Sequence, residues 1–214
     1  MIRSVLVLHG IGNHKPPEHW QFWLAHRLSE RGHDVLYPAL PDPDTPSLPV
    51  WMAALQRELS RMRGAERVVI CHSLACMLWL HAAPVLRPDQ RVDRLLLVSP
   101  PASERLPDGG ADFRVDTFDA AAVRATVTGE VRIVCSDADP YNPSGAQGMY
   151  GDALGVTADV LRGAGHITPA DGYGPWPSLE AWCDDARTRI STNGTAREHT
   201  RSRRHSRVDA SRLI

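Results

Sequence analysis

This sequence predicts an α/β fold built on one mainly parallel sheet of about six strands, and three observations carry that prediction. Short apolar runs alternate with segments of helical spacing from residue 3 to residue 190. The runs are continuous rather than alternating, which is the pattern of strands covered on both faces. Three of the runs are followed closely by polar residues of the kind that do chemistry: Ser73, Asp139 and His166. A doubly wound sheet collects such residues at the carboxyl ends of its strands.

The first strand is residues 3–8, broken by His9-Gly10-Ile11-Gly12-Asn13. Residues 18–31 follow as a helix, with Trp20, Trp23, Leu24 and Leu28 spaced for one face and Gly32 as its stop. Residues 34–38 make a short second strand. Five prolines (Pro38, Pro41, Pro43, Pro46 and Pro49) then hold the chain in a loop. A helix opens at Pro49 and runs to about residue 63, before Gly64. The third strand, 67–71, leads through His72-Ser73-Leu74 into a helix over 74–86. Residues 92–98 are the fourth strand, ended by Ser99-Pro100-Pro101. Residues 102–118 read as a loop with little regular structure, and 120–127 as a short helix. The fifth strand is 131–135; a loop at 137–143 and a helical segment near 144–154 separate it from the sixth, 157–161. After Gly163-Ala164-Gly165-His166, a last helix covers 177–190.

The 214 residues are 43% hydrophobic and 23% charged, with a net charge of −1, which is the balance of an ordinary globular domain. No stretch approaches the roughly 18 apolar residues of a membrane helix. Residues 1–8 are too short and too strand-like for a secretory signal, so a cytoplasmic protein is expected. Residues 1–190 form the expected domain. Residues 191–214 read as a basic, disordered tail, with six arginines against Glu198 and Asp209, a net of +4. The other 190 residues hold 18 basic and 23 acidic groups, a net of −5, so the domain offers nucleic acid no attraction. Cys71, Cys76, Cys135 and Cys183 form no C-x-x-C pair and are expected to be reduced, buried thiols. His9, His14 and His19 recur every five residues, off the spacing of a helical metal pair, and no metal is expected. Neither a G-x-G-x-x-G nor a G-K-[ST] loop follows a strand, which disfavours dinucleotide and nucleoside triphosphate chemistry.

The chain order serine, aspartate, histidine is that of the α/β-hydrolase fold. In that scheme His166 takes the proton of the Ser73 hydroxyl, and Asp139 holds the imidazole tautomer. Asp137, two residues earlier, is the alternative to Asp139. Ser73 occupies the strand-to-helix elbow, which needs small residues two before and two after it. Here these are Cys71 and Ala75, where glycine is the common choice. The charge of a tetrahedral intermediate needs donors, and the backbone N–H groups of Leu74 and Ile11 are the candidates, with Gly10 allowing close approach. His9 and His72 are expected to line the pocket without moving protons. The proline loop and residues 102–118 are expected to be its walls.

These residues also carry a resemblance. His9-Gly10, the His19-Trp20-x-x-Trp23-Leu24 helix, His72-Ser73-Leu74-Ala75, Ser136-x-x-Asp139-Pro140 and Gly165-His166 resemble small α/β-hydrolases of the retinoblastoma-binding-protein-9/YdeN type of serine hydrolase, over about residues 1–190. The resemblance implies a three-layer fold and a hydrolase acting on esters or other small acyl compounds, and the loop lengths suggest small or medium acyl groups. The spacing of the motifs leaves no room for a large cap domain, and no cofactor is called for. The expected partner is thus a small acyl substrate. Two other readings stay open: a protein-interaction module on a hydrolase scaffold, and another cofactor-free activity of the same three residues.

Overall fold

Each of the six expected strands forms: β1 (Arg3–Leu8), β2 (Asp34–Leu36), β3 (Glu66–His72), β4 (Val92–Val98), β5 (Val127–Ser136) and β6 (Asp159–Leu161). The computed structural model describes residues 2–193. All six strands are parallel and pair in the order β2-β1-β3-β4-β5-β6. Around them stand α1 (Trp20–Glu30), α2 (Leu48–Arg61), α3 (Leu74–Ala82), α4 (Ala120–Ala125), the single turn α5 (Asp152–Leu154) and α6 (Pro177–Asp184). No helix among the described residues is long and apolar enough to cross a membrane.

The side-chain period of a strand sorts the core into two halves. Leu6 and Leu8, Val69 and Cys71, and Leu95 and Leu97 pack against Trp51, Leu55 and the apolar helix α3. Val5 and Val7, Val68 and Ile70, and Leu96 and Val98 pack against Trp20, Leu24 and Leu28 of α1 and Leu179 and Trp182 of α6. The result is three layers, with strand order reversing between β1 and β3. A crevice opens at the carboxyl ends of strands at such a reversal.

Four departures from the sequence reading have physical causes. β5 starts four residues early, because Val92 pairs with Val127 across a register shift and Gly129 sits where a Cβ would be 2.7 Å from the Asp93 carbonyl. Its polar start, Thr128-Gly129-Glu130, hides the strand from an apolar-run criterion. α3 gives way at Ala82 to a 3₁₀ turn, Ala83–Val85, at Pro84. Residues 102–118 are not a featureless loop. They hold two 3₁₀ turns, closed by Ser103 Oγ, which donates to the Val115 carbonyl (2.7 Å) and accepts from the Val115 N–H (2.8 Å).

The last helix stops at Asp184, well short of residue 190. Its final carbonyls are taken by arginines of the sheet. Arg94 donates to the Trp182 and Cys183 carbonyls, both at 2.7 Å, and Arg3 donates to that of Asp184, also 2.7 Å. Beyond it the chain turns back, and Arg132 binds the carbonyls of Ala186 and Thr188. Packing extends past residue 190. Ser191 accepts from Trp176 Nε1 (2.8 Å), and buried Asn193 donates to the Pro175 carbonyl (2.5 Å). The expected tail from residue 194 onward, with its arginines, lies outside the described residues.

Candidate active site

The crevice forms where β1 and β3 end, and Ser73 stands in it at the turn from β3 into α3. Its backbone lies at φ +56° and ψ −123°, a region sparsely populated by non-glycine residues and costing about 1–3 kcal/mol. Two hydrogen bonds hold it there: the Ser73 N–H donates to the Val98 carbonyl (3.0 Å), and the Cys76 N–H donates to the Ser73 carbonyl (2.8 Å). Cys71 and Ala75, the small residues flanking the turn, are fully buried. Burial pushes the Cys71 thiol far up, so it stays protonated and inert. Gly10 packs directly on the serine: a Cβ there would lie 2.8 Å from Ser73 Cβ and 3.1 Å from its Oγ.

Ser73 Oγ is 2.8 Å from His166 Nε2, and His166 Nδ1 is 2.9 Å from each oxygen of the Asp139 carboxylate. The three residues come from the ends of β3, β5 and β6 and lie 93 and 27 positions apart in the chain. Asp139 is 3% exposed, and its carboxylate also accepts from the Tyr141 N–H (2.9 Å). Asp137 points elsewhere and accepts from the Gly163 N–H at 2.7 Å. The carriers of the aspartate and the histidine are tied together by Ser136 Oγ, which accepts from the N–H groups of Ala138 and Ala164, both at 3.0 Å. Asp171 holds the histidine loop: its Oδ2 accepts from the N–H groups of His166 (3.0 Å) and Thr168 (3.1 Å) and from the Thr168 hydroxyl (2.8 Å).

A hydroxyl, an imidazole and a carboxylate so arranged can pass one proton from oxygen to Nε2 while Nδ1–H stays bonded to the carboxylate. Nearby backbone donors are at hand. Leu74 opens α3, so its N–H is one of the unpaired donors of a helix start. Neither it nor the N–H of Ile11 has a hydrogen-bond partner among the described residues.

The cleft above Ser73 has a volume of about 420 Å³. Ile11, Pro101, Leu106, Pro107 and Tyr141 supply apolar lining, and Asn13, His19, Thr168 and Asp171 a polar one. So residues 102–118 do form a wall. The proline loop does not line the cleft; it braces the chain behind. Its Pro43 carbonyl accepts from the Gly12 N–H (2.7 Å), and its Leu40 N–H donates to His9 Nε2 (2.9 Å).

That last bond also removes His9 from the cleft. Its Nε2 is an acceptor, so the proton sits on Nδ1 and is donated to the Gly10 carbonyl at 2.8 Å. His9 is a buried strut beneath the loop rather than a pocket residue. His72 does line the cleft, and its Nε2 lies 3.0 Å from the His166 carbonyl, to which it donates. Sequence reasoning passed over His19, Tyr141, Thr168 and Asp171 as lining residues. The signal available for His19 was its place at the head of the His19-Trp20-x-x-Trp23-Leu24 motif.

Burial holds three of these imidazoles neutral. His9 and His72 are lowered from the usual value near 6.5, His72 strongly, chiefly by desolvation. His19 is lowered to about 4 by desolvation and, secondarily, by His9 and His166. Unfolded, each would titrate near pH 6.5, so acid protonates the unfolded chain first. Their contribution is therefore complete above about pH 6.5 and is lost as pH falls toward 4, with His19 alone accounting for on the order of 3 kcal/mol. Urea midpoints are expected to hold level from pH 8 to 7 and to fall steadily from 6.5 to 4.5. A level midpoint across that lower range would contradict the assignment.

A family model described as serine hydrolase matches residues 5–184 of the chain. No curated protein matches it. Among solved structures, the ydeN gene product from B. subtilis aligns with a TM-score of 0.73 at 19% identity, over 85% of this chain and 97% of that one. A YdeN-like hydrolase from Pectobacterium atrosepticum aligns at 0.65 and 20%, over 85% and 89%. A monoacylglycerol lipase from Paleococcus ferrophilus aligns at 0.53 and 18%, over 76% and 85%. At these identities the likeness is one of fold.

Proposed function

The chain belongs to the serine hydrolase family, and from that premise we propose that it hydrolyses small or medium acyl esters through Ser73, His166 and Asp139. The observation that carries the proposal is the continuous contact from Ser73 Oγ through His166 to the buried Asp139 carboxylate. His166 Nε2 accepts the Ser73 proton as Oγ attacks the ester carbonyl. The Ile11 and Leu74 N–H groups receive the charge of the tetrahedral intermediate. His166 then returns the proton to the leaving alcohol, and an acyl-enzyme remains. Water attacks that ester with His166 again as base, His166 gives the proton to the departing Ser73 Oγ, and the acid leaves. Asp139 accepts from Nδ1–H throughout, which stabilises the transient imidazolium.

A cleft of about 420 Å³ falls in the range of small-ligand sites, and its apolar lining suits an acyl chain. A fluorophosphonate probe tests the proposal directly. It is expected to label the wild type and not the Ser73→Ala variant. Absence of labelling in a folded wild-type sample would overturn the proposal and turn attention to an interaction role on the same scaffold.

A further inference from the structure

We infer that His19 is a specificity-determining residue whose Nε2–H donates to an uncharged oxygen acceptor on the acyl chain of the substrate. The inference rests on the reading of Ser73 as the nucleophile facing the same cleft. Three observations lead to it.

The first is the role of the ring in the backbone. His19 caps α1: its Nδ1 accepts from the Gln21 N–H at 3.2 Å. An imidazole nitrogen that accepts carries no proton, so the neutral ring is protonated at Nε2. Burial keeps it neutral at working pH.

The second is an inventory of the cleft. His72 donates to the His166 carbonyl, and Ser73 and His166 are engaged with each other. Asn13 donates to Gln21 Oε1 and accepts from the Lys15 N–H. Thr168 donates to Asp171. His19 is only 4% exposed, and its Nε2 has no hydrogen-bond partner among the described residues. The ring is buried but Nε2 is not among the buried atoms that lack a partner, so its N–H keeps access to the cleft as a side-chain donor that the protein leaves unengaged; the Tyr141 hydroxyl, on an exposed ring, is a second such group. The ring is also fixed in place, packed edge-on against His72 at 5.5 Å and tilted against Trp20 at 5.6 Å.

The third is charge. Among the described residues no lysine or arginine lines the cleft, and Asp171 contributes a carboxylate. A carboxylate or phosphate on the substrate would enter without a counter-charge, so the acceptor that fits is an ether, hydroxyl or keto oxygen. A substrate with a plain alkyl chain displaces the water of this N–H and offers nothing in return.

Two substitutions separate the capping from the donation. His19→Asn keeps an acceptor for the Gln21 N–H and withdraws the N–H donor from the position of Nε2. His19→Gln extends an amide N–H toward the Nε2 position and gives up the short capping geometry. Heat melts of both variants establish that they are folded. The substrates are 4-nitrophenyl hexanoate and its three ethers with one methylene replaced by oxygen: propoxyacetate, 3-ethoxypropanoate and 4-methoxybutanoate. His19→Asn is expected to lower kcat/KM for the preferred ether roughly tenfold more than for the hexanoate, mainly through KM. His19→Gln should recover part of the ether preference. Equal losses on all four esters, or an unchanged ether-to-hexanoate ratio, would overturn the inference. The same esters titrated by calorimetry into Ser73→Ala protein, with and without His19→Asn, read the contact without turnover. A wild type that hydrolyses none of the esters would therefore defeat the proposed function, while the binding ratio would still decide the role of His19.

Discussion

Alanine at position 73 is expected to lower ester turnover by about 10⁵- to 10⁶-fold while leaving the melting temperature close to that of the wild type. The reason lies in the contact at 2.8 Å: without Oγ there is no atom for His166 to activate. The residual rate would come from cleft binding and the two backbone donors. Asp139→Asn is expected to cost about 10⁴-fold. An asparagine offers its amide N–H to Nδ1, which forces the ring proton onto Nε2, the atom that must accept from Ser73. Since the three side chains act as one unit, the double variant should be little worse than Ser73→Ala alone. Hydrolysis by Ser73→Ala within tenfold of the wild type would remove the serine from the mechanism.

Arg94→Met is expected to lower the unfolding free energy by about 3–5 kcal/mol, near the upper end of single-residue effects. Arg94 lies within the sheet at 4% exposure. Its guanidinium meets the Trp182 and Cys183 carbonyls, lies 2.7 Å from Glu66 and stacks over the Trp182 ring at 4.7 Å. Methionine fills much of the volume but leaves two carbonyls at the end of α6 without a donor and removes one of the two arginines paired with Glu66, the other being Arg3. Lysine should not rescue the loss, because one ammonium cannot reach both carbonyls in a planar fork. Urea unfolding with circular dichroism measures the effect, and Arg187→Ala, which removes an exposed pair with Asp185, serves as the control with an unchanged midpoint. A loss under about 1 kcal/mol for Arg94→Met would mean that water replaces the guanidinium at the helix end.

Local pattern carried much of this protein. The boundaries of β1 and β4 could be read to the residue because each carries a four-residue apolar run, residues 5–8 and 95–98, closed at once by a polar residue. Ser73, Asp139 and His166 were nominated by strand ends and chain order, both one-dimensional properties. β5, α6 and the wall at 102–118 were less legible, since each is shaped by distant partners: Val92 pairing with Val127, Arg94 and Arg3 closing a helix end, Ser103 clasping Val115.

The linear order of residue types was enough for the α/β class, the parallel sheet and the three candidate side chains, because strand periodicity and glycine or proline breaks act within a few residues. Three-dimensional packing put the carboxylate of Asp139, and not that of Asp137, against His166, turned His9 from a pocket residue into a strut, and placed His19 in the cleft lining. Each of those outcomes depends on which hydrogen-bonding partner stands across a gap of two or three ångströms, and such partners come from segments that meet only when the chain is folded.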